Sequence, residues 1–296
     1  MCNGIGMVSS RSVGRLRWRL VRKRDAGHYC AAVAYPIAGG SGTITDSIRT
    51  DPNGIGDSML VHEGETRTRD ADLTLSWSLA AVAGALNTAG FYAVGFYASN
   101  MTGNVSAISD RAGTGDLILA AQALLLVVLF VLGAATSTLL IRRRRRHAPS
   151  GAYAYGIRAE ALLLAAIGLI ALPLAEPARG EALVFGLSFV LGLQNAVVTK
   201  ITDARVRTTH VTGMITDIGI ELARWLDRRA GDPLAKRHDP DKLRLHLMTV
   251  GAFSGGGLLG VVAYRAIGVG LLFAAAAILA LLAAPAIGPR RSAPAE

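Results

Sequence analysis

Charge and cysteine are what this 296-residue chain has least of. Asp, Glu, Lys and Arg make up 18% of it, against about 25% in an ordinary soluble domain. The shortfall is concentrated: no charged residue stands between Asp72 and Asp110, nor between Asp116 and Arg142. The two cysteines, Cys2 and Cys30, lie outside the apolar stretches, which excludes disulfide and thiolate chemistry from the apolar core. The sequence also lacks a phosphate-binding loop, a zinc-protease signature and a serine-nucleophile elbow. No nucleophile can be paired with a base, so the expectation is a protein that is not an enzyme. His210 has no second His, Cys or carboxylate at ligand spacing, so neither a metal nor any other cofactor is expected. The apolar patch at 31–40 is short and broken by Pro36; it makes a poor signal peptide, and the first long apolar segment serves as the export signal instead.

What is present is length of apolar sequence. A membrane-crossing helix needs about 20 mostly apolar residues. Six segments qualify or come close: 73–97, 117–141, 157–174, 182–199, 245–264 and 266–287. They predict an all-α, polytopic transmembrane helix bundle of about six spans, with the lipid bilayer as its partner. The net charge of +10 is placed accordingly. Five consecutive arginines, 142–146, follow the second segment, ten Lys and Arg fall within 199–244, and Arg290 and Arg291 follow the sixth. Basic loops stay in the cytoplasm, so both termini are expected on the cytoplasmic side of the inner (plasma) membrane. Cations that flank apolar segments, with no recognition motif beside them, argue against nucleic acid as a partner. Residues 1–58 mix Gly, Ser, Arg and Asp without periodicity and cannot bury enough surface to fold. They read as a flexible basic extension, or as sequence upstream of a start at Met59, ahead of a membrane domain at 59–296. Their cations, among them Arg15, Arg17, Arg19 and Lys23, could also rest on anionic lipid.

A short signature occurs twice. Ser99-Asn100-Met101-Thr102-Gly103 follows the first segment, and Thr209-His210-Val211-Thr212-Gly213 follows the fourth. Each is preceded by an asparagine, Asn87 fifteen and Asn195 seventeen residues before the threonine. Three segments separate the copies, so the second half (about 182–287) is expected upside down relative to the first (about 73–174). Such 3+3 inverted repeats bind solutes at the repeat interface. Thr-Gly suits an interrupted helix: Gly tolerates unusual backbone angles, and Thr can cap the following helix, whose exposed N–H groups attract anions. After Thr212, the residues Val211, Met214, Ile215, Ile218, Leu222 and Trp225 form one apolar stripe, with Asp217, Glu221, Arg224 and Arg228 opposite, as in an amphipathic interfacial helix.

At these residues the chain resembles the YoaK-type family of bacterial membrane proteins. The similarity is carried by Ala83-Gly84-Ala85-Leu86-Asn87, Asn100-Met101-Thr102-Gly103-Asn104, Gly192-Leu193-Gln194-Asn195-Ala196 and Arg207-Thr208-Thr209-His210-Val211-Thr212-Gly213. The resemblance implies about six helices in a bacterial cytoplasmic membrane and supplies no substrate. It also implies a departure: the family usually has aspartate where this chain has Asn87, and an amide cannot titrate to carry a coupling ion.

The candidate substrate-binding residues are therefore Asn87, Thr88, Thr102, Gly103, Gln194, Asn195, Thr212 and Gly213. Amides and hydroxyls inside apolar spans either bind a polar solute or tie helices together, at about 0.6 kcal/mol per bond. The first alternative makes the chain a transporter of an unidentified small solute; the second makes it a structural or regulatory membrane protein. Gln122 reads as packing glue, and Gly251, Gly255, Gly256, Gly257 and Gly260 as a small-residue face for close helix contact.

Overall fold

The computed structural model describes residues 69–147, 151–202, 204, 207–229 and 238–284. The proposed extension 1–58 and the basic C-terminal pair Arg290 and Arg291 lie outside the described residues. Eight helices succeed one another: α1 (Arg69–Val94), α2 (Met101–Gly113), α3 (Leu117–His147), α4 (Ala152–Ala171), α5 (Ala178–Ile201), α6 (Val211–Arg229), α7 (Pro240–Ile267) and α8 (Gly270–Ala283). No strand occurs among the described residues. The fold is the polytopic helical bundle that the apolar segments predict.

Helices α1, α3, α4, α5 and α7 are long and apolar enough to cross a membrane. The sixth expected span is shorter than its sequence suggested. Gly268, at φ 53°, ends α7, so Ala266 and Ile267 belong to the preceding helix. Beyond this break α8 is a 14-residue apolar helix, about 21 Å long at 1.5 Å per residue. Elsewhere the helices run past the apolar segments into polar sequence. The arginines 142–146 extend α3 to His147, where cations meet the negative end of the helix dipole. Asp239 caps α7, its carboxylate accepting from the amides of Asp241 and Lys242, with Pro240 at the first helical position.

Helices α1 and α5 run antiparallel at the centre: Gln194 of α5 lies beside the Leu79 carbonyl, and Gly180 beside Val94. Each carries one parallel partner. Helix α7 lies along α1, with Thr249 touching Ser76, Gly256 on Ala81 and Gly260 on Ala85. Helix α3 lies along α5, with the Ser188 hydroxyl donating to the Leu126 carbonyl at 2.8 Å, Gly192 on Phe130 and Gly133 on Phe189. These crossings are close enough that a Cβ at Gly84, Gly133, Gly192 or Gly256 would fall on a carbonyl oxygen of the neighbouring helix. Glycine is needed there for its missing side chain. Two of the five expected small-residue contacts in α7 are corrected: Gly251 and Gly255 face open space, because the helix turns them away from α1. Helices α4 and α8 pack together, Phe273 filling the notch at Gly168. Leu75, Leu79, Leu86, Leu187 and Leu191 form the dry core, while Leu117, Ile118, Val131 and Leu139 of α3 are exposed. A row of exposed large apolar residues on a long apolar helix is a lipid-facing surface. Gln122 of α3 donates to Glu181 of α5 at 3.3 Å, an interhelical bond of the kind expected of it. Glu160 of α4 is fully buried, and neither carboxyl oxygen has a hydrogen-bond partner among the described residues.

Candidate functional site

The chain does not leave the bundle where α1 and α5 end. Gly95, at φ 77°, turns the backbone at the end of α1, and residues 96–99 double back alongside the helix. There the Asn87 side chain receives them: its Oδ1 accepts from the Ser99 amide and the Ser99 hydroxyl, both at 2.9 Å. The same happens after α5. The Asn195 amide donates to the Thr209 hydroxyl, and its Oδ1 accepts from the Thr208 hydroxyl at 3.5 Å. Ser99 and Thr209 hold the same place in the duplicated signature. Each asparagine therefore pins the start of the next helix, α2 or α6, several residues deep beside α1 or α5.

The Thr-Gly pairs act differently from expectation. The cap of α2 is Asn100, whose side chain accepts from the Gly103 amide at 3.2 Å; Thr102 is already inside the first turn. A Cβ at Gly103 would collide with the Asn100 side chain, and one at Gly213 with the His210 ring. Both glycines lie within helices. Glycine leaves room for the residue three places earlier to fold over the helix start, and neither glycine has an unusual backbone angle.

The two pinned segments open onto one cavity of about 900 Å³. From the first half come Asn87, Thr88, Ser99, Asn100 and Thr102; from the second come Asn195, Thr199, Thr209, His210 and Thr212. Phe130 of α3 and Phe253 of α7 form apolar walls. The Thr88 hydroxyl lies 3.0 Å from the Gly257 carbonyl, which ties this wall to α7. Lys200 and Arg207 also line it, and among the described residues no Asp or Glu does. Five of the eight expected site residues thus share the cavity: Asn87, Thr88, Thr102, Asn195 and Thr212. Gly103 lies behind Asn100. Gly213 faces a second cavity. Gln194 is fully buried in the contact with α1, its Oε1 without a partner among the described residues, and does not line the cavity. Sequence reasoning missed Phe130 and Phe253. The signal was there: each stands three residues before a glycine, Gly133 or Gly256, that seats the parallel helix.

The second cavity, of about 910 Å³, lies between α6, α7 and the start of α1 and shares Arg207 and His210 with the first. Its lining is rich in acids: Asp70, Asp72, Asp217, Asp239 and Asp241. Asp217 pairs with Lys242 at 3.4 Å and approaches His246 at 3.8 Å. Helix α6 turns Met214 and Glu221 inward and leaves Ile215 and Leu222 of its apolar stripe exposed. That orientation suits a helix bordered by lipid, where polar groups are better placed against protein. Glu221 accepts from the Asp239 amide at 2.9 Å and lies 3.2 Å from His238 and 2.5 Å from Arg224. The Asp239 hydrogen bond, helped by Arg224 and His238, holds its carboxyl below the usual carboxylate range although burial opposes this.

No group of three potential metal ligands occurs among the described residues. A search of curated proteins finds no match, and neither does a search of solved structures. One family does match, described as "Protein of unknown function (DUF1275)", over residues 75–284. That stretch covers most of α1 and the whole of α2 to α8, together with both copies of the signature, so the resemblance to YoaK-type proteins read from those motifs is borne out. The chain belongs to the DUF1275 family.

Proposed function

We propose that the chain is a carrier for a small polar solute, built from two halves of opposite orientation with the solute site between them. The halves are those read from the sequence, 73–174 and 182–287. The observation that carries the reading is the cavity of about 900 Å³ to which both copies of the signature contribute. The packing supports it. α7 lies parallel to α1 as α3 lies parallel to α5, α1 and α5 are antiparallel, and Gly84 meets Phe253 as Gly192 meets Phe130. Exchanging the halves reproduces each of these contacts, as a two-fold axis in the membrane plane requires. The first turns of the pinned helices α2 and α6 bring polar backbone to the cavity, which is tolerated where it lines a cavity. A bacterial inner membrane with both termini cytoplasmic is the placement that fits the arginines 142–146 and the basic 199–244 loop.

One observation favours the alternative, a structural or regulatory membrane protein: the Asn87 and Asn195 side chains are engaged by their own loops. The test is a thermal-shift screen of the purified full chain against metabolites, followed by uptake of the stabilising solute into proteoliposomes. Thr102→Trp and Thr212→Trp fill the cavity from side chains that are exposed to it. Each should abolish uptake while leaving the melting temperature unchanged. Uptake that persists in both, or no response to any solute, would favour the scaffold. Thiol labelling tests the placement: cysteines near Arg111 and Arg179 should react from outside and one at Ser150 only from within.

A further inference from the structure

We infer that the solute is a small oxyanion, a carboxylate or a phosphate-like group, and that Lys200 and Arg207 recognise it. The inference rests on the carrier reading and adds the substrate class to it. The charged groups decide it. Among the described residues that line the central cavity the charged side chains are Lys200 and Arg207, joined by the imidazole of His210, and none is a carboxylate. This is not an accident of a basic chain, since the neighbouring cavity carries five aspartates. Among the described residues neither cation forms an ion pair with a carboxylate. They lie at the end of α5 and just before α6, on the two sides of the loop that Asn195 pins.

The rest of the lining agrees with a negative guest. The first turns of α2 and α6 face the cavity through Thr102 and Thr212, so two positive helix ends reinforce the cations. Hydroxyls of Thr199 and Thr209 offer donors, the latter accepting from Asn195 and keeping its own proton, while Phe130 and Phe253 restrict water on either side. A field of one sign in a partly apolar recess concentrates ions of the other. Cationic solutes are repelled, and a neutral solute leaves the two cations uncompensated. Arg207 and His210 also border the acidic cavity, so an anion leaving the central site in that direction meets repulsion beyond them.

The experiment uses the full chain in a neutral detergent, with thermal shifts recorded at matched ionic strength. The probes are inorganic phosphate, sulfate, acetate and succinate, set against neutral xylitol and cationic putrescine. At least one oxyanion should stabilise saturably, and the neutral and cationic probes should not. Lys200→Gln and Arg207→Gln should each weaken that response by about tenfold or more with the ligand-free melting temperature unchanged, and Lys200→Arg should largely restore it. A saturable response to xylitol or putrescine, no response to any oxyanion, or an oxyanion response unaltered in both glutamine variants would overturn the inference. Saturation by short-chain phosphatidylglycerol with no response to free anions would make the occupant a lipid headgroup and overturn it too. The two readings fail separately. Anion binding lost in the variants, with no flux in proteoliposomes, removes the carrier and keeps the anion site. Flux of xylitol indifferent to Lys200→Gln removes the anion and keeps the carrier.

Discussion

The two copies of the signature solve one problem with different chemistry. In the first half Asn87 acts only as an acceptor, taking the Ser99 amide and hydroxyl on a single oxygen, and the helix it introduces is a short, exposed α2 capped by Asn100. In the second half Asn195 both donates and accepts, and the helix it introduces is a longer α6 anchored midway by buried Glu221. The first tie is a compact self-contained cap; the second begins a strap that Asp217 and Glu221 fasten to the start of α7. The cations of the cavity, Lys200 and Arg207, both belong to the second. Both copies contribute to the lining of the cavity, and they differ in the charge they bring to it.

The shared part should be the harder to change. Gly133→Ala and Gly256→Ala each drive a methyl group into a carbonyl oxygen of the facing helix, and each should cost about 1–3 kcal/mol or more. Gly255→Ala, next door on the open side of α7, should cost nothing and can gain up to about 1 kcal/mol of helix propensity. Melting temperatures of the three variants check this; equal losses at Gly255 and Gly256 would mean that α7 does not present this face to α1. The ties come next. Asn87→Ala strands the buried Ser99 amide and should cost about 1–3 kcal/mol, while Asn87→Asp keeps an acceptor in place and should be nearly neutral. Asn195 is only half-buried, and Asn195→Ala should cost less, about 1 kcal/mol. The reverse ranking would make the second tie the structural one. The anchor of α6 gives the smallest effect and one confined to the second half. The folded-state pKa of Glu221 is lowered, so its contribution is present above the unfolded value and is lost as pH falls through the lowered folded value. Wild type should therefore exceed Glu221→Gln in melting temperature at neutral pH, the gap closing on acidification; a gap that widens toward low pH would contradict the assignment.

The spans were legible because an uncharged run as long as 117–141 has few alternatives to a membrane helix. Their ends were not, since caps such as Asp239 and the arginines 142–146 belong to helices by hydrogen bonding and dipole rather than by hydropathy. Helix α2 is short and polar, and only the position of its cap marks it. The glycines of α7 looked equivalent in sequence; which of them meet α1 depends on a register that only packing reveals. Thr102 and Gly103 were recognised as a pair, but the side chain that occupies the space beside the glycine is Asn100. Lys200 and Arg207 were read as topology signals, and the same charges also line the cavity, a double use that hydropathy cannot distinguish.

The central claim is that one solute occupies one site between the two halves. The most direct test replaces Cys2 and Cys30 with serine, introduces a single cysteine at Thr102 or at Thr212, and measures the rate of thiol modification of the full chain. The oxyanion that stabilises the protein should slow both reactions with the same concentration dependence, because one occupant covers both copies of the signature. Protection of one position alone, or of neither at saturating anion, would contradict it.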